Sequence, residues 1–449
     1  MENSSSSLKV KTSIRAILAL AVPISISKLI PEVNYLINAS FVGHLGTVEL
    51  AVVGIVGVYY LIFAAIGYGL NSALLSIMSR KAGEENKEEM ASMLAHGMVI
   101  AIILALIAIS ITWLWFGPLL QVLHLDNQVI ALATSFINVR IIGLIFLFAL
   151  NAQISYVISL QRTRFLIWIA FIESAVNVFL DYGLIFGHFG LPELGFVGAA
   201  YASVAAEMIG LLAVWIILSQ FIGEKISFRY LSLNNLKLVF NQGFPLMSQY
   251  AISTGSWWVF FLLISRQYTV SEQAISQVMR NFFGLSGIFT WSFGSVTNTI
   301  ISNLIGQGKS ELIFTILKKI QTISLVGVCI YIIGINFFSE EFLSIFGQDA
   351  IFMDEAKLLL GVVSMAIIIQ TFGVIWLNGV VATGMTKVVF WIEFVGIFMY
   401  MLYIFIVIDR LALPFPLAWM SEWLYWTVMM AMSIWYLRRG DWQKGLKIY

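Results

Sequence analysis

Charge is what this sequence has least of. Of 449 residues only 11% are Asp, Glu, Lys or Arg, while 60% are hydrophobic and the mean hydropathy is +0.92. Soluble domains carry roughly 25% charged residues, so no aqueous fold can hide this much apolar surface. Cysteine is nearly absent as well. Cys329 is alone and lies inside an apolar run, which excludes an internal disulfide and a cysteine-based metal site. The four histidines, His44, His96, His124 and His188, read as residues in or beside connecting segments, and no two have metal-ligand spacing. There is no glycine-rich phosphate loop, nucleophile elbow or catalytic cysteine arrangement. That argues against an enzyme and against ATP-driven transport within this chain; neither a cofactor nor a nucleic-acid partner is expected.

What the sequence has instead is apolar length. Runs such as Met98 to Trp115 and Ile323 to Phe338, taken with their flanks, reach the roughly 20 residues that span a bilayer. Twelve spans are read, at about 16–42, 51–78, 93–117, 129–159, 165–187, 197–221, 241–265, 274–301, 320–339, 357–384, 388–408 and 417–437. Tryptophans at run ends (Trp113, Trp115, Trp423, Trp426) suit interfacial belts. The start, polar and then basic, has no small-residue cleavage site after the first apolar stretch, so that stretch is expected to be retained. With both termini inside, 19 of the 25 Lys and Arg fall in inner segments. Arg140, Arg266, Arg280, Lys357 and Arg410 fall outside, and Lys28 lies within the first span. Such a bias predicts a multi-pass protein of the cytoplasmic (inner) cell membrane with both termini cytoplasmic.

An internal repeat divides the chain. Thr163-Arg-Phe-Leu-Ile-Trp168-Ile-Ala-Phe171 returns as Thr386-Lys-Val-Val-Phe-Trp391-Ile-Glu-Phe394, 223 residues on. Pro23 recurs as Pro245, and Thr47-Val48 as Thr269-Val270, both 222 residues on. Two halves of six spans each enter from the same side and are expected to form pseudo-symmetric bundles about an axis along the membrane normal. The expected parts are an N-terminal lobe over 1–222, a cytoplasmic linker over 223–242 and a C-terminal lobe over 243–449. The predicted fold class is therefore all-α integral membrane, with twelve transmembrane helices in two six-helix bundles.

Charged and polar groups inside the spans are costly and mark function by default. In the fifth span Glu173, Asn177 and Asp181 recur every fourth residue and form a stripe on one helix face. Two carboxyls with an amide between them can exchange protons or present oxygen ligands to sodium. The bland reading is that Asp181 caps the helix end and Glu173 meets a structural partner. The first span carries Lys28 and Glu32 around Pro31, with Asn34 and Asn38 after them. A structural Lys28–Glu32 ion pair near the cavity is expected there. Glu207 in the sixth span reads as a cavity carboxylate or as a hydrogen-bonded helix contact, and Glu393 and Glu422 read as interfacial groups near span ends.

The stretch Asn177-Val-Phe-Leu-Asp181-Tyr-Gly-Leu-Ile-Phe-Gly187, followed by Leu191-Pro192-Glu-Leu-Gly195-Phe-Val-Gly198-Ala-Ala200, resembles the multidrug and toxic compound extrusion (MATE) family. Phe41-Val-Gly43-His-Leu-Gly46, Gly243-Phe-Pro245 and Ile305-Gly306-Gln307-Gly308 are similar to further family landmarks. The resemblance implies a cation-driven antiporter whose two lobes alternate between V-shaped inward and outward openings. It implies coupling-ion binding at Asp181 and Asn177, with Ser203 where a threonine often lines the site. Asn38 stands where the first helix usually carries an aspartate. Ser253 and about Phe372 stand where other members have acids in the second lobe, so coupling through that lobe is not expected.

The function expected is secondary antiport, exporting small organic solutes, cationic or amphipathic, for protons, with sodium the second choice. The coupling set is Asp181, Asn177, Glu173 and Asn38; Asn34, Ser203, Glu207, Lys28 and Glu32 are possible cavity-lining residues. The partners expected are the solute and the bilayer, with the protein a monomer. A lipid-linked oligosaccharide flippase of the same broad superfamily is the alternative, although the acidic stripe favours cations. An integral-membrane acyl or prenyl transferase needs an intramembrane histidine or an aspartate-rich metal motif, and neither is evident. A membrane scaffold or receptor is the remaining alternative.

Overall fold

The computed structural model describes residues 7–223, 228, 231–344, 350–440 and 442–445; among these there is no strand. The first half comprises α1 (Ile14–Gly43), α2 (Thr47–Gly83), α3 (Lys87–Val122), α4 (Asn127–Arg140), α5 (Gly143–Ser159), α6 (Arg164–Phe186) and α7 (Phe196–Ile216), which runs on as a wider π turn to Ile222. The second comprises α8 (Leu233–Gln267), α9 (Val270–Gly306), α10 (Ile313–Phe337), the short α11 (Ser339–Ser344), α12 (Ala350–Ala382) and α13 (Thr386–Ile404), which is continued to Arg410. The short α14 (Phe415–Trp419), α15 (Ser421–Arg439) and the short α16 (Trp442–Gly445) complete it. Of the expected linker, residues 224–227 and 229–230 lie outside the described residues, and α8 begins at Leu233.

Each of the twelve expected spans has its helix. Among the described residues eight helices are long and apolar enough to cross a membrane, and α4 with α5, bent by 42° at their junction, makes a ninth. The other three are α8, α9 and α15, with 35, 37 and 19 residues. In α9 the reason for the low hydropathy is visible. Its buried hydroxyls return to their own helix: Ser286 donates to the Phe283 carbonyl at 2.7 Å and Thr297 to that of Phe293 at 2.8 Å. A polar face that satisfies itself can pack inward without water. The opposite situation holds on α3, where Ile103, Leu106, Ile107 and Leu114 are exposed, a face suited to acyl chains and not to water.

Helix ends follow the local chemistry. Asn86 caps α3, accepting from the Glu89 amide at 3.1 Å. Thr269 and Glu272 form a reciprocal capping box that starts α9. Gly187, with φ of 70°, closes α6 in the left-handed conformation. Pro23 and Pro31 lie inside α1 and Pro245 inside α8, so the repeated proline occupies corresponding helices. Pro31 brings no N–H to the carbonyl of Ser27 one turn earlier.

The chain groups into two compact units, the first holding Val22–Ala251 and the second Lys9–Ala21 with the residues from Ile252 onward. In the second unit the Val10 amide donates to Asn303 Oδ1 at 3.0 Å and Lys319 Nζ donates to the Thr12 carbonyl at 2.9 Å. The segment before α1 is thus tied to α9 and α10.

All five basic residues counted as outer belong to helical segments, Arg266 and Arg410 at the ends of α8 and of the continuation of α13. Arg140 is the last residue of α4, at the break in the fourth span, and Arg280 and Lys357 stand within α9 and α12. His96 also departs from expectation. It lies in α3, buried, and not beside a connection. The Ser232 amide donates to Nε2 at 2.9 Å, so Nδ1 carries the proton that meets the Ser92 carbonyl at 2.6 Å. A helical position with both ring nitrogens engaged makes it a structural pin between α3 and the start of α8.

Candidate functional site

The fifth-span stripe is present on α6. Asn177 and Asp181 are buried and Glu173 is half-buried, one turn apart in sequence. From α1, Asn34 and Asn38 each donate an amide N–H to Asn177 Oδ1, at 2.7 and 2.9 Å. The structure therefore brings three of the expected residues into one amide cluster. Asp181 follows one helical turn beyond it. Its side chain is fully buried, and neither carboxyl oxygen has a hydrogen-bond partner. The carbonyl oxygens of Asn34 and Asn38 are likewise buried and unpartnered. A bare carboxylate in a dry interior costs several kcal/mol, so such a group either carries its own proton or shares a cation with neighbouring oxygens.

α7 packs antiparallel along α6, and two close approaches fix their register. Gly210 lies against Glu173, where an added Cβ would stand 3.3 Å from the carboxyl carbon. Gly198 lies against the Leu184 backbone, 2.6 Å from such a Cβ. Between these two approaches Asp181 is level with about Tyr201, two residues from Ser203, which is half-buried.

Glu207 goes elsewhere. Its carboxylate receives both arms of Arg140, Nη1 to Oε2 at 3.0 Å and Nη2 to Oε1 at 2.7 Å, and the Tyr60 hydroxyl donates to Oε1 at 3.1 Å. The Arg140 guanidinium also lies 3.9 Å from the Tyr60 ring centroid. This bidentate, stacked geometry is what arginine does and lysine cannot. The pair is made possible by the break between α4 and α5. Arg140 ends α4, where a cation meets the helix carbonyls, and Gly143 opens α5 with no side chain. A Cβ there would collide with both Glu207 Oε2 and Arg140 Nη1. Arg140 was counted with the outer residues although it falls inside the span read at 129–159; an arginine at that depth is the signal that could have found the pair.

Lys28 and Glu32 are not joined by an ion pair among the described residues. Lys28 is half-buried and Glu32 is exposed. A spacing of four residues permits such a pair without enforcing it.

In the second unit, Glu393 and Glu422 are not interfacial. Both are buried. The Tyr425 hydroxyl donates to Glu393 Oε1 at 2.6 Å, and the indoles of Trp257 and Trp426 donate to Glu422 Oε1 and Oε2 at 2.8 and 3.0 Å. Each carboxyl has a partner far away in sequence, which is why proximity to a span end misled the sequence reading.

The MatE family model matches the chain twice, over residues 23–183 and 245–406. The matches are displaced by 222 residues at their starts and 223 at their ends, the interval of the repeat. A probable multidrug resistance protein NorM of Bacillus cereus is 31% identical over 184 residues, covering 41% of this chain and 40% of that protein. A protein of the same name from another strain of that species is 25% identical over 305 residues, 64% and 66% of the two chains. The chain thus spans 40% of the length of the first of these curated relatives. A solved structure of a MOP superfamily transporter from Pyrococcus furiosus superposes with a TM-score of 0.88 over 99% of both chains at 16% identity, a likeness of fold. With the family model covering most of both halves, the chain belongs to the MatE family, the multidrug and toxic compound extrusion family of membrane transporters.

Proposed function

We propose that this protein is a secondary antiporter that exports small organic solutes, cationic or amphipathic, in exchange for protons bound at Asp181. The observation that carries this reading is a fully buried carboxyl with both oxygens unpartnered, one turn from a cluster of three amides. Antiport needs a site whose affinity for ion and solute differs between two states, because a ligand that binds both equally shifts nothing. A carboxyl that takes a proton on one side and gives it up on the other supplies that difference. The multidrug resistance names of the relatives support organic solutes as the cargo.

One observation favours sodium as a second reading. Asn34 Oδ1, Asn38 Oδ1 and the two Asp181 oxygens are all acceptors without donors, and oxygen-only surroundings suit a hard cation. Efflux of a fluorescent organic cation from vesicles, compared under an imposed pH gradient and an imposed sodium gradient, separates the two. Efflux under the pH gradient alone is the expected result. Efflux driven by sodium alone replaces the proton with sodium, and no efflux under either gradient sinks the transporter reading.

The inside bias of Lys and Arg further supports cytoplasmic termini in the inner membrane. Cysteines placed singly at Ser4, Asn234 and Lys444, with Cys329 replaced, are expected to resist an impermeant thiol reagent in intact cells. Labelling of any of the three from outside overturns the orientation.

A further inference from the structure

Unit 2 contains an acid that the proposed antiport does not use. Glu422 sits in the first turn of α15, buried, with an indole N–H on each carboxyl oxygen. Among the described residues no Lys, Arg or His pairs with it. Arg280 on α9 lies 5.7 Å from the Phe261 ring, and that ring stands edge-on to Trp257 with centroids 5.5 Å apart. Glu393 on α13 is the other carboxyl of the unit's interior, engaged by the Tyr425 hydroxyl. One further hydroxyl, that of Tyr400, faces Glu422, and the Ser421 hydroxyl faces Tyr400 in turn. Tyr400 Oη on α13 and Ser421 Oγ beside it on α15 are both buried, and neither completes a hydrogen bond.

Those two unpartnered hydroxyls decide what the carboxyl can hold. Indole nitrogen is a donor only, so Trp257 and Trp426 offer nothing to a metal ion and occupy the oxygens that would ligate one. Serine and tyrosine hydroxyls both donate and accept. When Glu422 is a carboxylate, Tyr400 can turn to donate to it and Ser421 to donate to Tyr400; when it is an acid, Tyr400 can accept from it and donate to Ser421. Neither state then leaves a buried polar group unpaired, which is the condition for exchanging a proton at low cost. Trp257 and Trp426 are themselves only partly buried.

We propose that Glu422, with Tyr400 and Ser421 as alternating donor and acceptor, is a second proton-exchanging site, so that the second unit carries an acid of its own. This deepens the antiport reading and rests on it for its purpose, but its test does not. The infrared difference spectrum of the purified protein in nanodiscs, taken between about pH 5 and 9, reports the C=O stretch of any carboxyl that gains a proton. Glu422→Gln leaves one indole facing an amide N–H, so the folded comparison is Glu422→Gln with Trp426→Phe, set against Trp426→Phe alone. The expected result is a titrating carboxylic acid component, separate from that of Asp181, which Trp426→Phe and Asp181→Asn retain and which is missing from the double variant. A band of equal size in the double variant, or none in Trp426→Phe and the parent alike, overturns the proposal. Failure of parental efflux under either gradient leaves the band untouched and counts against the antiport reading only.

Discussion

Asp181→Asn is expected to reduce gradient-driven efflux to below about a tenth of the parental rate, a loss of at least about 1.4 kcal/mol in the driven step, while the protein still folds. The structure explains why the two effects separate. Asparagine has nearly the volume of aspartate, and because neither Asp181 oxygen has a partner, the substitution breaks no hydrogen bond within the protein. It removes only the group that can change its proton. Solute binding at equilibrium is expected to survive, since the amide cluster of Asn34, Asn38 and Asn177 is untouched. The measurement is efflux from vesicles at equal protein density, with size-exclusion profiles as the control for folding. A parental efflux rate in Asp181→Asn removes it as the coupling acid, and Glu173, on the same face of α6 and against Gly210, becomes the group to test.

The legible parts of this molecule are those written in local spacing. The Glu173, Asn177, Asp181 stripe follows from helical period alone, and the duplication follows from Trp168 and Trp391 at one interval, which the family matches reproduce. The number and placing of spans also survive, because a bilayer sets helix length regardless of partner. Interactions between distant segments were hidden. Nothing near Glu207 in the sequence points to Arg140, 67 residues away, and Glu422 gives no sign of Trp257, 165 residues away. The reading of Glu393 and Glu422 as interfacial groups failed for that reason: nearness to a span end is local, and the partners that bury them are not. Tyr425 and the two indoles make their burial affordable, and they come from other turns and other helices. The Lys28–Glu32 pair failed in the opposite direction, since a favourable local spacing was read as a contact.

The Arg140–Glu207 pair carries the largest stability effect to be expected in the first unit. Arg140→Met removes both guanidinium bonds and leaves Glu207 buried beside Tyr60 with no counter-charge. Breaking one side of a buried pair costs about 3 to 5 kcal/mol. Glu207→Gln alone strands the arginine in the same way, although the Tyr60 hydroxyl retains an oxygen to donate to. Combining the two leaves no uncompensated charge, so the double variant is expected to be more stable than Arg140→Met alone, with a coupling of about 2 kcal/mol or more in a double-mutant cycle. Gly143→Ala belongs to the same cycle from the side of space: its methyl would strike both charged groups, whereas alanine at Gly57, where a Cβ meets nothing within 4 Å, is expected to be neutral. Thermal unfolding of the purified proteins in one detergent reads all of these. Additivity of Arg140→Met and Glu207→Gln within about 0.5 kcal/mol would show that the two side chains do not act as a unit. Because α4 ends at Arg140 and α5 begins at Gly143, loss of the pair is also expected to free the 42° bend of the fourth span. A stable double variant that has lost efflux would then assign the pair to holding that bend in its working geometry.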